Sequence, residues 1–265
     1  MHNMSMAVST FSMEEMHMTT EGAFWMLVNL AALAIGYTVA PRMIPCSAKS
    51  NRHEDADLLA SIPIFLVMAW LAWHHTLLTG SEVEERWAGT SPSSYAFLWL
   101  YVTRQLASFP FVFLGSMKLS DRVLMTVHHI ISIIAYGGGL CTGRMHWFGT
   151  LNGCCEITSV FLNNLLLFRA IGYKGALNTI NGVTLWSVFL IFRLVLFPYW
   201  LYCFHSDVAE HPTVTSAKVS SFELLFYPCT TILLLGMSIV WFVTLTKGML
   251  KLIGATGAKA DGKAL

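Results

Sequence analysis

The sequence predicts an all-α membrane protein with seven transmembrane helices, and three observations predict it. Of 265 residues, 55% are hydrophobic and 12% charged, against roughly 25% charged in soluble domains. A water-soluble chain of this size could not hide so much apolar surface in one core. Apolar runs of about 20 residues, the length that crosses a bilayer as a helix, fall at 23–40, 61–79, 95–115, 123–140, 147–168, 178–204 and 222–246. Basic residues then alternate from one connecting segment to the next. A net charge of +1 without any basic run argues against nucleic acid as a partner and leaves membrane lipids.

Residues 1–22 hold Glu14, Glu15 and Glu21 but no Lys or Arg. With no basic n-region they are not read as a cleavable signal peptide, but as a poorly ordered extracytosolic tail. Its methionines (Met1, Met4, Met6, Met13, Met16, Met18) would suit soft-metal ligation through thioethers; a flexible polar tail is the plainer reading. The first helix, 23–46, meets Pro41 and Pro45, which oppose its continuation. The loop 47–57 is the most charged stretch. Span two ends at His74 and His75, read as interfacial, before the acidic loop 82–85. Trp87, Trp99, Trp147, Trp200 and Trp241 fall near span ends, as interfacial anchors do. No second domain shows, and residues 251–265, rich in Gly, Ala and Lys, read as a flexible cytosolic tail.

Topology follows from charge. One set of loops carries Arg42, Lys49, Arg52, Lys118, Arg122, Arg169, Lys174 and the tail lysines; the other carries Arg86, Arg144 and Lys218. The basic side is expected to be cytosolic, which puts the C-terminus in the cytosol. Arg104 and Arg193 remain, and both lie inside spans.

The chemistry concentrates in 124–140 and 147–168. The first carries His128 and His129; the second carries Glu156, Asn163 and Asn164. An ionisable group at mid-membrane costs at least ~2.5–3.5 kcal/mol and marks a functional site by default. At 1.5 Å per residue, Glu156, Arg104 and Arg193 each lie roughly 13–17 Å from the extracytosolic helix ends, which predicts one layer with Glu156 paired to an arginine. Helical spacing puts Tyr101, Arg104, Gln105 and Ser108 on one face, Glu156, Ser159 and Asn163 on another, and His129, Ser132 and Tyr136 on a third. These faces draw a polar channel from the cytosolic edge to mid-membrane. Each also has a structural reading: ion pair, helix–helix hydrogen bond, or amide glue. Consecutive helical residues diverge by about 100°, so His129 is expected to face the cavity and His128 a neighbouring helix.

Metal and cofactor readings fare poorly. The 10 histidines form no HxxHH or HxxxH cluster inside a span, and Met125 takes the first position of an HxxHH box. Span seven has no mid-helix lysine for a retinal Schiff base. The six cysteines show no CxxC spacing, so no metal or cofactor is expected. Cys141 and Cys203 both fall near extracytosolic ends, as a disulfide or as separate thiols.

Several motifs resemble a TLC domain, the superfamily of ceramide synthases, translocon-associated TRAM proteins and a cargo-receptor group of the endoplasmic reticulum. They are Val127-His128-His129, Gly149-Thr150-Leu151, Glu156-x-x-Ser159-x-Phe161-x-Asn163, and Arg193-Leu194-x-x-x-Pro198-Tyr199-Trp200. The resemblance covers residues 55–250 and implies a six-helix barrel around a lipid-accessible cavity, here spans two to seven, with span one appended. It also implies residence in the endoplasmic reticulum. Ceramide synthases follow the HH pair with H-D-x-x-D-x-x-x-E; here the corresponding positions are Glu156, Ile157, Val160 and Asn164. The pattern is closer to the TLC domain-containing branch, which is associated with membrane lipid homeostasis.

Three functional readings stay open. As a lipid-binding or lipid-processing protein, the chain would hold an acyl chain in the barrel and its head at Arg104, Tyr136, Glu156, Ser159, Asn163, Asn164 and Arg193. As an acyltransferase, His128 or His129 would act as nucleophile or general base on an acyl thioester, with acyl-CoA as substrate and Asn163 and Asn164 stabilising an oxyanion. The third is a non-enzymatic cargo receptor or translocation factor. A homodimer is compatible with all three.

Overall fold

The computed structural model describes residues 2–45 and 51–261, with side chains over 19–45 and 51–251. The methionine-rich side chains of the N-terminus, Lys49, Cys46 and the tail lysines Lys259 and Lys263 lie outside the described side chains. Among the described residues all regular structure is helical, and seven helical segments are long and apolar enough to cross a membrane.

The chain runs α1 (His2–Met43), α2 (Arg52–Leu78), the short α3 (Val83–Ala88), α4 (Pro92–Leu114), α5 (Leu119–Thr142), α6 (His146–Gly153), α7 (Ile157–Ala170), α8 (Ala176–Phe189), α9 (Leu196–Glu210), α10 (Pro212–Lys218) and α11 (Ser221–Asp261). A 3-10 turn, Cys154–Glu156, joins α6 to α7, and a π turn, Leu190–Val195, joins α8 to α9. The seven spans match the apolar runs within a few residues at most ends. Span two begins earlier than predicted, at Arg52, so part of the charged loop is helix. The helical backbone of α1 starts at His2, where an irregular tail was expected, and α11 continues to Asp261.

Local chemistry sets the helix ends. Ser91 caps α4 in a reciprocal capping box with Ser94, and Pro92 takes the first turn, where its missing N–H costs nothing. Gly143 closes α5 in the left-handed conformation at φ 62°. Pro41 falls inside α1, which ends two residues later at Met43. Pro198 explains the π turn: it has no N–H for the carbonyl of Leu194, and the backbone widens by one register immediately before it.

Six spans close a ring in the order α2, α4, α5, α11, α8, α7 and back to α2, each touching the next. This is the expected barrel. Helix α1 lies outside it against α2 and α4. The approach is so close that a Cβ at Gly36 would sit 2.2 Å from the Ala56 carbonyl oxygen, so only glycine fits there. The end of the ring bearing α3 and α10 is plugged. Trp87, Met145, Trp147, Phe148, Trp200 and Phe204 pack there as one buried cluster. Trp87, Trp147 and Trp200 are therefore core residues rather than the interfacial anchors predicted, because α3 and α10 fold over the span ends that carry them.

Candidate functional site: a polar-floored cavity in the helix ring

The other end of the ring is hollow. A cavity of about 860 Å³ runs from the basic edge, at Glu54, Ser116 and Arg169, to a floor at Arg104, Glu156 and Arg193. Its walls come from all six ring helices and are mostly apolar: Leu58, Phe65, Leu162, Leu185 and Leu245 are among them. The size suits a ligand pocket, and the composition follows the usual pattern of apolar walls with a few convergent polar groups.

On α2 and α4, Arg104 donates through Nη2 to Asp57 Oδ1 at 2.6 Å and to Ser61 Oγ. Ser61 in turn donates to the Asp57 carbonyl one turn back. Arg104 Nε and Nη1 are buried without partners. Gln105 and Ser108 line the cavity beside Arg104, as their shared face predicts, but Tyr101 does not. It packs against Tyr136 with the rings tilted at 35° and centroids 4.0 Å apart.

Span five shows why Glu156 points inward. Gly153 packs so tightly on Phe97 that a Cβ would fall 2.1 Å from Cζ. The chain then tightens into the 3-10 turn, which buries Cys154, Cys155 and Glu156 together. Glu156, 5% exposed, accepts from Ser159 Oγ at 2.8 Å. The predicted ion pair is not formed. Arg104 is taken by Asp57, and Arg193 donates Nε to Thr158 Oγ1 at 2.9 Å. Equal depth did not bring equal azimuth: Arg104 turns toward α2.

Both histidines border the cavity, which corrects the expectation that His128 would pack away from it. The cavity is wide enough for its wall to take more than the 100° separating them. His128 also meets Trp241 of α11 edge-on at 6.4 Å, and His129 meets Phe109 of α4 at 5.9 Å. Nδ1 of each ring is buried with no partner. Neither Nε2 is enclosed in that way, so this nitrogen is the atom each ring offers to the cavity.

The amide pair divides. Asn163 lines the cavity with its Nδ2 buried and unpartnered, while the half-buried Asn164 does not reach it. Tyr136, with Ser132, instead lines a second, small cavity of about 40 Å³ toward the plugged end, beside Asn152 and Tyr227. Ser159 is in the main wall. Of the predicted residues, then, His128, His129, Arg104, Glu156, Ser159, Asn163 and Arg193 gather around one space, and Tyr136 and Asn164 stand apart. Asp57 was missed because 47–57 reads as loop; its spacing of four from Ser61 on a continued helix was the available signal. Cys141 and Cys203 are separate free thiols, and no metal-binding cluster occurs among the described residues.

A family model described as TLC domain matches residues 57–247, a range that contains all of the ring except the start of α2 and the end of α11. TLC domain-containing protein 4-B of Danio rerio is 27% identical over 146 residues, covering 53% of this chain and 54% of that protein. TLC domain-containing protein 4 of Homo sapiens is 25% identical over 139 residues, 51% of each chain. The Xenopus laevis protein 4-B is 24% identical over 141 residues, again 51% of each. The chain thus spans about half the length of the curated relatives it matches. With a helix ring of this architecture and a family match over most of its length, the chain belongs to the TLC-domain family.

Proposed function

We propose that this protein holds a lipid acyl chain in the ring cavity and acts in membrane lipid homeostasis, with residence in the endoplasmic reticulum by analogy with its family. One observation carries the proposal: an apolar-walled space of about 860 Å³ that closes on a charged floor of Arg104, Glu156 and Arg193, with its other charged groups at the open edge. Such a division fits a molecule with a long apolar tail and a compact polar end. The orientation is part of the proposal, with the cavity opening to the cytosol.

Two experiments test it. Mass spectrometry of the purified protein should detect a co-purified lipid that is depleted when Leu185, in the apolar wall, is enlarged to Trp. Equal lipid in both would refute occupancy of this cavity. Cysteines placed at Lys174 and Ser81, both exposed, should label from the cytosolic and the lumenal face respectively. Labelling from one face alone would sink the orientation.

A second reading has its own support. The two imidazoles present Nε2 to the same cavity, which is the placement that general-base or nucleophilic attack on an acyl thioester requires. Acyl-CoA with a panel of amine and lysolipid acceptors should then yield acylated product that disappears in His129→Ala. Product that survives loss of both histidines would defeat the enzymatic reading.

A further inference from the structure

The cavity floor contains two arginines in unlike states. Arg104 has its counter-ion: Asp57 Oδ1 lies 2.6 Å from Nη2. Arg193 has none within ion-pair distance among the described residues, although it is 8% exposed and at mid-span. Its protein contacts are one hydrogen bond from Nε to Thr158 and a position over the Phe189 ring, 5.3 Å from Cζ to the centroid. Nη1 and Nη2 make no hydrogen bond to the protein and, unlike Nε and Nη1 of Arg104, are not walled off. They belong to the cavity lining.

A guanidinium cannot shed its proton, and a buried charge without a partner is among the costliest features a membrane interior can hold. Glu156 is close enough to attract Arg193 electrostatically, but it makes no ion pair with it and turns Oε2 to Ser159, so the outer nitrogens of Arg193 keep no contacting acceptor. The backbone, moreover, departs from regular helix at this residue: Arg193 sits within the π turn Leu190–Val195, and such turns recur at functional sites. Two free N–H-bearing nitrogens in a rigid fork match a pair of oxygens sharing a negative charge.

Resting on the lipid-binding reading above, we infer that Arg193 receives an oxyanion borne by the lipid itself, a carboxylate or a phosphate at the end of its apolar part. The lipid's charge replaces the missing counter-ion. The Nε2 atoms of His128 and His129 border the same cavity as further polar contacts, and the acyl part extends along Leu162, Leu185 and Leu245 toward the open end.

The test is a titration of the delipidated full chain in neutral detergent, read by native mass spectrometry. The lipids share oleoyl chains and differ in the head: oleic acid, dioleoyl phosphatidic acid, dioleoylglycerol and oleylamine. Inorganic phosphate serves as a competitor. At least one of the two acids should bind tighter than dioleoylglycerol and oleylamine by about tenfold or more, the yield of one charge-assisted hydrogen bond. Which acid wins distinguishes carboxylate from phosphate. Displacement by millimolar inorganic phosphate would make the site one for free phosphate and overturn the lipid oxyanion. Arg193→Gln should abolish the preference while dioleoylglycerol binding persists, and Arg193→Lys should restore part of it. If Arg193→Gln does not fold, the wild-type ranking still decides. Equal binding of all four heads, or preference for the amine, overturns this inference and leaves the lipid cavity standing. Binding of none overturns both.

Discussion

The two ends of the helix ring are both polar, and they treat their buried histidines in opposite ways. At the plugged end, His75 and His146 are almost fully buried, yet every ring nitrogen is spoken for. His75 Nδ1 is 2.8 Å from Ser91 Oγ and its Nε2 is 3.4 Å from Thr79 Oγ1; His146 Nδ1 is 2.8 Å from Ser94 Oγ and its Nε2 is 3.1 Å from the Gly139 carbonyl. Asp207 nearby accepts from Arg86 Nε at 2.8 Å, from Arg86 Nη2 and from Trp87 Nε1 at 2.9 Å. At the hollow end, His128, His129, Asn163 and Arg104 all carry buried nitrogens with no partner. A satisfied polar network fixes helices against one another, whereas an unsatisfied one keeps bonding capacity in reserve. Burial of histidine in a membrane bundle is therefore no mark of function by itself. What distinguishes the candidate site is the unfilled bonding beside open space.

Mutations should separate the two ends. The largest loss is expected for Asp207→Ala, which strands Arg86 and the Trp87 N–H under the aromatic plug. Breaking a buried pair costs on the order of 3–5 kcal/mol, and the low end applies because Arg86 keeps 18% side-chain exposure. Purified yield and melting temperature in detergent should both fall sharply. If Asp207→Ala melts like the wild type, the plugged end is not the structural end.

A smaller effect is expected for His146→Ala. It removes one partner each from Ser94 Oγ and the Gly139 carbonyl, which keep their bonds to Ser91 and Gly143. Interhelical hydrogen bonds in membranes average about 0.6 kcal/mol and reach about 1.7, because the separated helices also find partners. A melting-temperature drop of that modest order, with lipid content unchanged, would fit. Altered lipid content without a stability change would move His146 into the functional class and break the comparison.

The sequence made much of this legible, and the residues show where it stopped. Span positions follow from apolar length, so the seven runs and the inner half of each helix were readable. Azimuth was not. Glu156, Arg104 and Arg193 do share a depth and a cavity floor, but which groups touch depends on the rotation of each helix. Hydropathy does not report that rotation. The pairing of Arg104 with Asp57 was invisible because a charged stretch reads as loop even where α2 already includes it. His75 looked interfacial because it lies one turn from a span end; the covering provided by α3 and its loop is a tertiary fact. The motif Glu156-x-x-Ser159 was better than it looked, since its spacing places the two side chains in hydrogen-bond contact.

The mildest stability effect and the most diagnostic one belong to His129. It is 6% exposed and lies against Phe109, yet its nitrogens make no hydrogen bond to the protein. Replacing it with Leu, of similar volume and without polar atoms, removes a buried nitrogen that has nothing to bond. Exchange of an unsatisfied polar group for an apolar one of like shape is neutral or stabilising. His129→Leu should accordingly melt at or slightly above the wild-type temperature, while the lipid bound in the cavity changes or is lost. The same exchange at His75, whose ring bonds Ser91 Oγ and Thr79 Oγ1, removes two made hydrogen bonds and should lower the melting temperature. Paired thermal scans of the two variants, with lipid analysis of each, put the contrast between the ends into one measurement. A fall in melting temperature for His129→Leu equal to that of His75→Leu would mean that both histidines are structural, and the unfilled bonding at the hollow end would then carry no functional weight.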